Sequence, residues 1–118
     1  MIFRPHLIEA IRRGEKIETR RLVNDNQNSP WGPVCPYKEG RVYKAAPGRA
    51  KKGVLRIRLT EDPYQETLGE MDNYAAGREG LDDLVTFQAE WLQINHEWDP
   101  DAKVWVVCFT YEGEIEHG

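Results

Sequence analysis

The run Gly14-Glu15-Lys16-Ile17-Glu18-Thr19-Arg20-Arg21 constrains the fold of this chain more than any other stretch, because it joins a helix to a strand across a glycine. Pro5 suits the first position of a helix, and Leu7, Ile8, Ala10 and Ile11 fall on one face of it. Arg12 and Arg13 sit where the negative end of a helix favours cations, and Gly14 then ends it. The β-branched Ile17 opens a strand in which Ile17, Thr19 and Arg21 share one face while Glu18 and Arg20 share the other. Lys16 belongs to the turn, escapes that alternation and can lean over Thr19. Three cations and a hydroxyl gathered so closely form a cluster that invites an anion.

Downstream, residues 24–36 are rich in turn formers and lack periodicity, so they read as a long loop. In it Trp31 either anchors the loop to the core or offers a base-stacking surface. Strands are predicted at Val42–Ala45, 54–59 and 104–111, with a basic connection over 47–53. A short helix is predicted over 72–77 with Asp72 as its N-cap, and a longer one follows Asp82 and Asp83. In the longer helix Leu84, Phe87, Trp91 and Ile94 have helical spacing and read as core. Residues 112–118 read as a frayed acidic tail. The whole, residues 1–118, reads as one α+β domain: a small, partly closed barrel of about five or six strands flanked by two or three helices. No phosphate-loop or dinucleotide fingerprint is present.

The net charge of −4 conceals an asymmetry. Residues 1–58 hold fourteen Lys/Arg against five Asp/Glu, whereas residues 59–118 hold two against fifteen. Interdigitated, the two halves neutralise each other through surface pairs; segregated, the basic half lines a cleft that attracts a phosphate or another polar anion. Cys35 and Cys108 form no paired motif, and His6, His96 and His117 are scattered, so no disulfide, metal or other cofactor is expected. No apolar stretch reaches the roughly 20 residues of a membrane span, and the chain start lacks a signal-peptide pattern. A cytoplasmic protein with no membrane contact is the expectation.

The order Phe3-Arg4-Pro5, helix, then Gly14-x-Lys16-x-x-Thr19-x-Arg21 resembles the start of ASCH domains, small relatives of the PUA-like β-barrels whose signature is G-x-K-x-x-E-x-R. Thr19 stands where that signature has Glu. The same replacement is found in the bacterial ASCH branch that hydrolyses 4-acetylcytidine, in which a Lys, a Thr and a downstream Glu are the catalytic group. The segment Ala75-Ala76-Gly77-Arg78-Glu79-Gly80-Leu81 resembles the place where that Glu falls, and Val104-Trp105-Val106-Val107-Cys108-Phe109 resembles the closing strand. The resemblance thus implies a PUA-like barrel and a catalytic group of Lys16, Thr19 and Glu79.

A threonine hydroxyl is a poor nucleophile at neutral pH and needs a base, here a neutral Lys16 or an ionised Glu79. A buried Lys16 touching Arg21 acts as that base, whereas a Lys16 bridged to Glu79 stays charged and stabilises an oxyanion instead. Around this group, Arg20, Arg21, Tyr43, Arg49, Lys51 and Lys52 are the candidate substrate contacts. Three functions remain open on these residues. They are hydrolysis of an acylated cytidine, RNA binding without chemistry, and RNA cleavage with Lys16 and Tyr43 moving protons. RNA or a nucleoside is the expected partner in each case. A fourth reading, docking of the acidic half on a basic protein, is left open by the charge pattern.

Overall fold

In the computed structural model, which describes residues 1–23, 28–29 and 32–116, helix α1 (Pro5–Arg12) starts on its proline without a side-chain cap and buries Leu7, Ile8, Ala10 and Ile11. Gly14 lies just beyond it at φ +74, a left-handed conformation that a β-carbon disfavours. That reversal sends the chain into strand β1 (Glu18–Leu22). Within the stretch expected to be loop, β2 (Asn28–Ser29) and β3 (Gly32–Pro33) pair as a minimal hairpin; Trp31 lies outside the described residues. Strands β4 (Val42–Ala45), β5 (Leu55–Leu59) and β6 (Tyr64–Thr67) follow, then a 3-10 turn at Leu68–Glu70. Two helices, α2 (Asn73–Arg78) and α3 (Leu84–Asn95), lead to the last strand, β7 (Lys103–Glu114). Both helices are capped as their sequences predict: Asp72 accepts from the Ala75 amide and Asp83 from the Thr86 amide, each at 2.8 Å.

Strand β7 is the spine of a five-stranded antiparallel sheet. Its residues 104–106 are paired on both sides, with β1 along one edge and β6 along the other. Farther on, β7 pairs with β5, and β4 lies outside β5. β5 and β6 therefore follow one another along a single edge of β7, interrupted at residues 60–63. Leu55 pairs with Glu114, so residues 112–114 belong to the sheet rather than to a frayed tail. The reason is that β5 supplies backbone partners for a segment whose own side chains are polar.

The α+β class with three flanking helices matches the expectation, but the hydrogen bonding does not close the sheet into a barrel, since β1 and β4 end the strand order unpaired with each other. The chain start lies at this opening. Ile2 bridges Ala46 beyond β4, and its carbonyl accepts from Arg21 Nη2 of β1 at 2.8 Å.

Two apolar clusters cover the sheet. The first packs Phe3 and, from α1, Leu7, Ile8 and Ile11 onto Leu55, Ile57, Trp105, Val107 and Phe109. The second joins Val104 to Met71, Ala75, Ala76, Phe87 and Trp91 of the later turn and helices. Val104 thus serves a different cluster from Trp105, Val107 and Phe109, as period-two alternation requires when both faces are covered. No described helix is long and apolar enough to cross a membrane.

Candidate functional site

The turn after Gly14 meets the C-terminal end of α2. Ile17 N–H donates to the Arg78 carbonyl at 2.8 Å, and Lys16 and Glu79 form an isolated antiparallel bridge. Gly80 makes that approach feasible: it lies at φ +88, and a β-carbon there would come within 2.9 Å of Lys16 Cβ. Lys16 Nζ then donates to the Glu18 carbonyl at 2.8 Å, the Glu79 carbonyl at 2.9 Å and Glu79 Oε1 at 3.0 Å. Three acceptors require three N–H groups, and only the ammonium has them. Burial pushes the Lys16 pKa down, but the adjacent Glu79 carboxylate pulls the other way and its geometry holds the charged form.

Lys16 is 2% exposed and Glu79 4%, so the pair lies in the regime where an unpartnered charge would be very costly. The pair extends into a network. Glu79 Oε2 accepts from Arg20 Nη1 at 3.0 Å, Glu18 Oε1 accepts from the same nitrogen at 2.7 Å, and Glu66 Oε1 accepts from Arg20 Nη2 at 3.0 Å. Arg78 Nε donates to Glu18 Oε2 at 2.8 Å. Three cations meet three carboxylates. Burial works against the charge on Arg20, but Glu79, Glu18 and Glu66 outweigh it and raise its pKa.

Thr19 and Arg21 point the other way, in register with Val107 and Trp105 on the α1 side of the sheet. There they line a cavity of about 340 Å³ between α1, α3 and β1. Its apolar wall comes from Phe3, Leu7, Phe87, Trp91 and Ile94, and its polar wall from Lys16, Thr19, Arg21 and Glu79, with Arg4, Arg49, Glu90 and Asn95 also lining it. Thr19 makes no side-chain hydrogen bond among the described residues. Arg21 is set apart from its neighbour. Its guanidinium lies 4.9 Å from the Phe3 ring centroid, its Nε is buried without a partner among the described residues, and burial lowers its pKa against weaker opposition from Tyr37 and Glu79. At the mouth Arg4 pairs with Glu90, which also accepts from His6, and this ties the start of α1 to α3.

Of the residues singled out from sequence, Lys16, Thr19, Glu79, Arg20, Arg21 and Arg49 line this one cavity. Tyr43, Lys51 and Lys52 do not: Tyr43 stacks edge-on against Tyr37 at 5.2 Å and accepts from the Lys38 amide, while the two lysines are exposed. Sequence reasoning missed the wall built by Phe3, Leu7, Trp91 and Ile94. The helical stripe at Phe87, Trp91 and Ile94 was visible, yet only the fold tells that its far end borders a cavity rather than the core; Ile94 is 54% exposed.

Among the described residues, five of the fourteen front-half cations, Arg4, Arg12, Lys16, Arg20 and Arg58, pair with carboxylates of the back half. Besides the buried network, Arg12 pairs with Glu114 and Arg58 with Glu112. Among the described residues no cluster of His, Cys, Asp and Glu could hold a metal ion.

No protein-family model matches the chain, and no curated protein matches it by sequence. Solved structures do. A protein of Enterococcus faecalis described by the family model DUF984 superposes with a TM-score of 0.63 at 18% identity, over 96% of this chain and 74% of that one. An ASCH domain from Lactobacillus crispatus gives 0.66 at 19% identity, over 92% and 71%. A point mutant of an ASCH protein from Zymomonas mobilis gives 0.59 at 15% identity, over 98% and 70%. At such identities the likeness is one of architecture, and it agrees with the motif around Gly14, Lys16, Thr19 and Arg21: this chain has the ASCH-domain fold.

Proposed function

We propose that the protein binds one nucleoside-sized ligand in the cavity between α1, α3 and β1. The observation that carries this reading is the division of that cavity into an apolar aromatic wall and a polar wall where Thr19 and Arg21 keep hydrogen-bonding capacity. An aromatic heterocycle with a polar edge is complementary to such a division, and about 340 Å³ falls within the roughly 300–1,000 Å³ of small-molecule sites. Phe87 and Trp91 supply the surface for the ring, and Thr19 and Arg21 address its substituents. Titration calorimetry with cytidine and 4-acetylcytidine tests it: saturable binding at one site, abolished by Thr19→Val combined with Trp91→Ala, is the expected result. No heat with either nucleoside removes the reading.

Hydrolysis of an acylated cytidine is the second reading, favoured by the presence of Lys16, Thr19 and Glu79 on one cavity. In it the Thr19 oxygen attacks the acetyl carbonyl, the C–N bond to the exocyclic amine breaks as that amine takes up a proton, and water then cleaves the acetyl-threonine ester. The resting arrangement opposes the first step, because all three Lys16 protons are already donated and both Glu79 oxygens already accept. As an ammonium Lys16 has no lone pair, so it must first give up a proton before it can take the one on Thr19. Incubation with 4-acetylcytidine decides: release of acetate that is lost in Thr19→Val supports hydrolysis, and binding without release leaves a recognition module. An RNA ligand would add a steep fall of affinity with salt, since each neutralised phosphate releases counterions, whereas a lone nucleoside gives a flat response.

A further inference from the structure

Once each ion pair around the cavity is set aside, a positive excess remains. Lys16, Arg20 and Arg78 are balanced by Glu18, Glu66 and Glu79, and Arg4 is balanced by Glu90. Arg21 and Arg49 have no carboxylate partner among the described residues, although both line the cavity. They reach it from different walls, Arg21 from β1 and Arg49 from the connection between β4 and β5. Arg21 is the more telling of the two. A guanidinium held against an aromatic ring, donating to a backbone carbonyl and with Nε unsatisfied among the described residues, loses hydration without gaining a carboxylate in contact. Burial is the main cause of the lowered pKa values of Lys16 and the Met1 amine, and the Arg21 charge adds to both, as expected of a cation that its surroundings oppose only weakly.

A ligand that supplies two negative charges at this end of the cavity closes the imbalance. A phosphate monoester carries about 1.5 to 2 negative charges at neutral pH and offers three acceptor oxygens to two guanidiniums, whereas an internal RNA phosphodiester carries one charge. We infer that the cavity takes a nucleoside monophosphate, with the base against Phe87 and Trp91 and the phosphate between Arg21 and Arg49. This inference rests on the reading of the cavity as a nucleoside site.

Titration calorimetry at low salt with cytidine, cytidine 5′-monophosphate, inorganic phosphate and a trinucleotide tests it. The monophosphate is expected to bind about tenfold or more tightly than cytidine, with the preference reduced to about threefold or less in Arg49→Gln and in Arg21→Met. Arg49 is exposed, so its variant keeps the fold, and thermal unfolding verifies the Arg21 variant. Equal affinity for cytidine and its monophosphate overturns the inference while sparing the nucleoside reading. Absence of binding by both removes the nucleoside reading itself. Inorganic phosphate binding as tightly as the monophosphate, or a trinucleotide binding more tightly, also overturns the inference, in favour of a plain anion site or of RNA.

Discussion

Arg20 and Arg21 are adjacent in the chain and opposite in chemistry. Both border the cavity, but Arg20 faces three glutamates and closes a neutral, buried network with Lys16 and Arg78, whereas Arg21, one residue on, faces Phe3 and the Ile2 carbonyl and meets no carboxylate among the described residues. The strand's alternation sends them to different sides of the sheet, and what waits on each side differs. The difference teaches that density of charge along a sequence does not mark a binding site. Neutralised charge is architecture, and charge without a partner beside a cavity is available for a ligand.

Substitutions can widen or collapse that contrast. The largest effect is expected from Glu79→Ala, which strips counter-charge from Lys16 and Arg20 together and should cost about 3–5 kcal/mol in urea unfolding. A loss below about 1 kcal/mol would mean that the network is not holding the fold. Arg20→Met should cost several times more stability than Arg21→Met, which stays within about 1 kcal/mol of the parent because one hydrogen bond is traded for relief of a desolvated charge. Equal losses from the two methionine variants would erase the distinction. Removing the outer pair with Arg58→Ala should change stability by only about 0–1 kcal/mol, less in high salt, as befits an exposed pair.

The smallest effect concerns Cys108, beside Glu18 on the network's side of the sheet. Burial, with Glu61 and Glu18 adding to it, pushes its thiol up to about 12 from an ordinary 9.0. Because the folded value lies above the unfolded one, the fold favours the neutral thiol; that contribution is complete below pH 9 and disappears as pH rises toward 12. In a Cys35→Ser background, alkylation by iodoacetamide near pH 9 should be much slower for the folded protein than for the urea-unfolded chain. Equal rates would show that the thiol is not shielded.

Local signals were legible where backbone chemistry is local. The proline start and glycine stop of α1, the aspartate caps of α2 and α3, and the span of β4 all follow from a few neighbouring residues. β6 was not legible: Tyr64-Gln65-Glu66-Thr67 has no apolar alternation, and it is a strand because β7 offers it an edge. The polar end of β7 extends past Tyr111 for the same reason, with β5 as its partner.

For the cavity, sequence supplied the motif around Lys16, Thr19 and Arg21 and the suggestion of Glu79, whereas the walls from α1 and α3 came only with packing. The sequence by itself determined which residues can be charged, which faces of its helices are apolar and where the chain must turn, because these depend on residue type and short-range geometry. The tertiary structure alone decided which cations lining the cavity meet a carboxylate and which do not, because Glu79, the carboxylate shared by Lys16 and Arg20, lies some sixty residues away and Coulomb attraction acts through space, whatever the order of the chain.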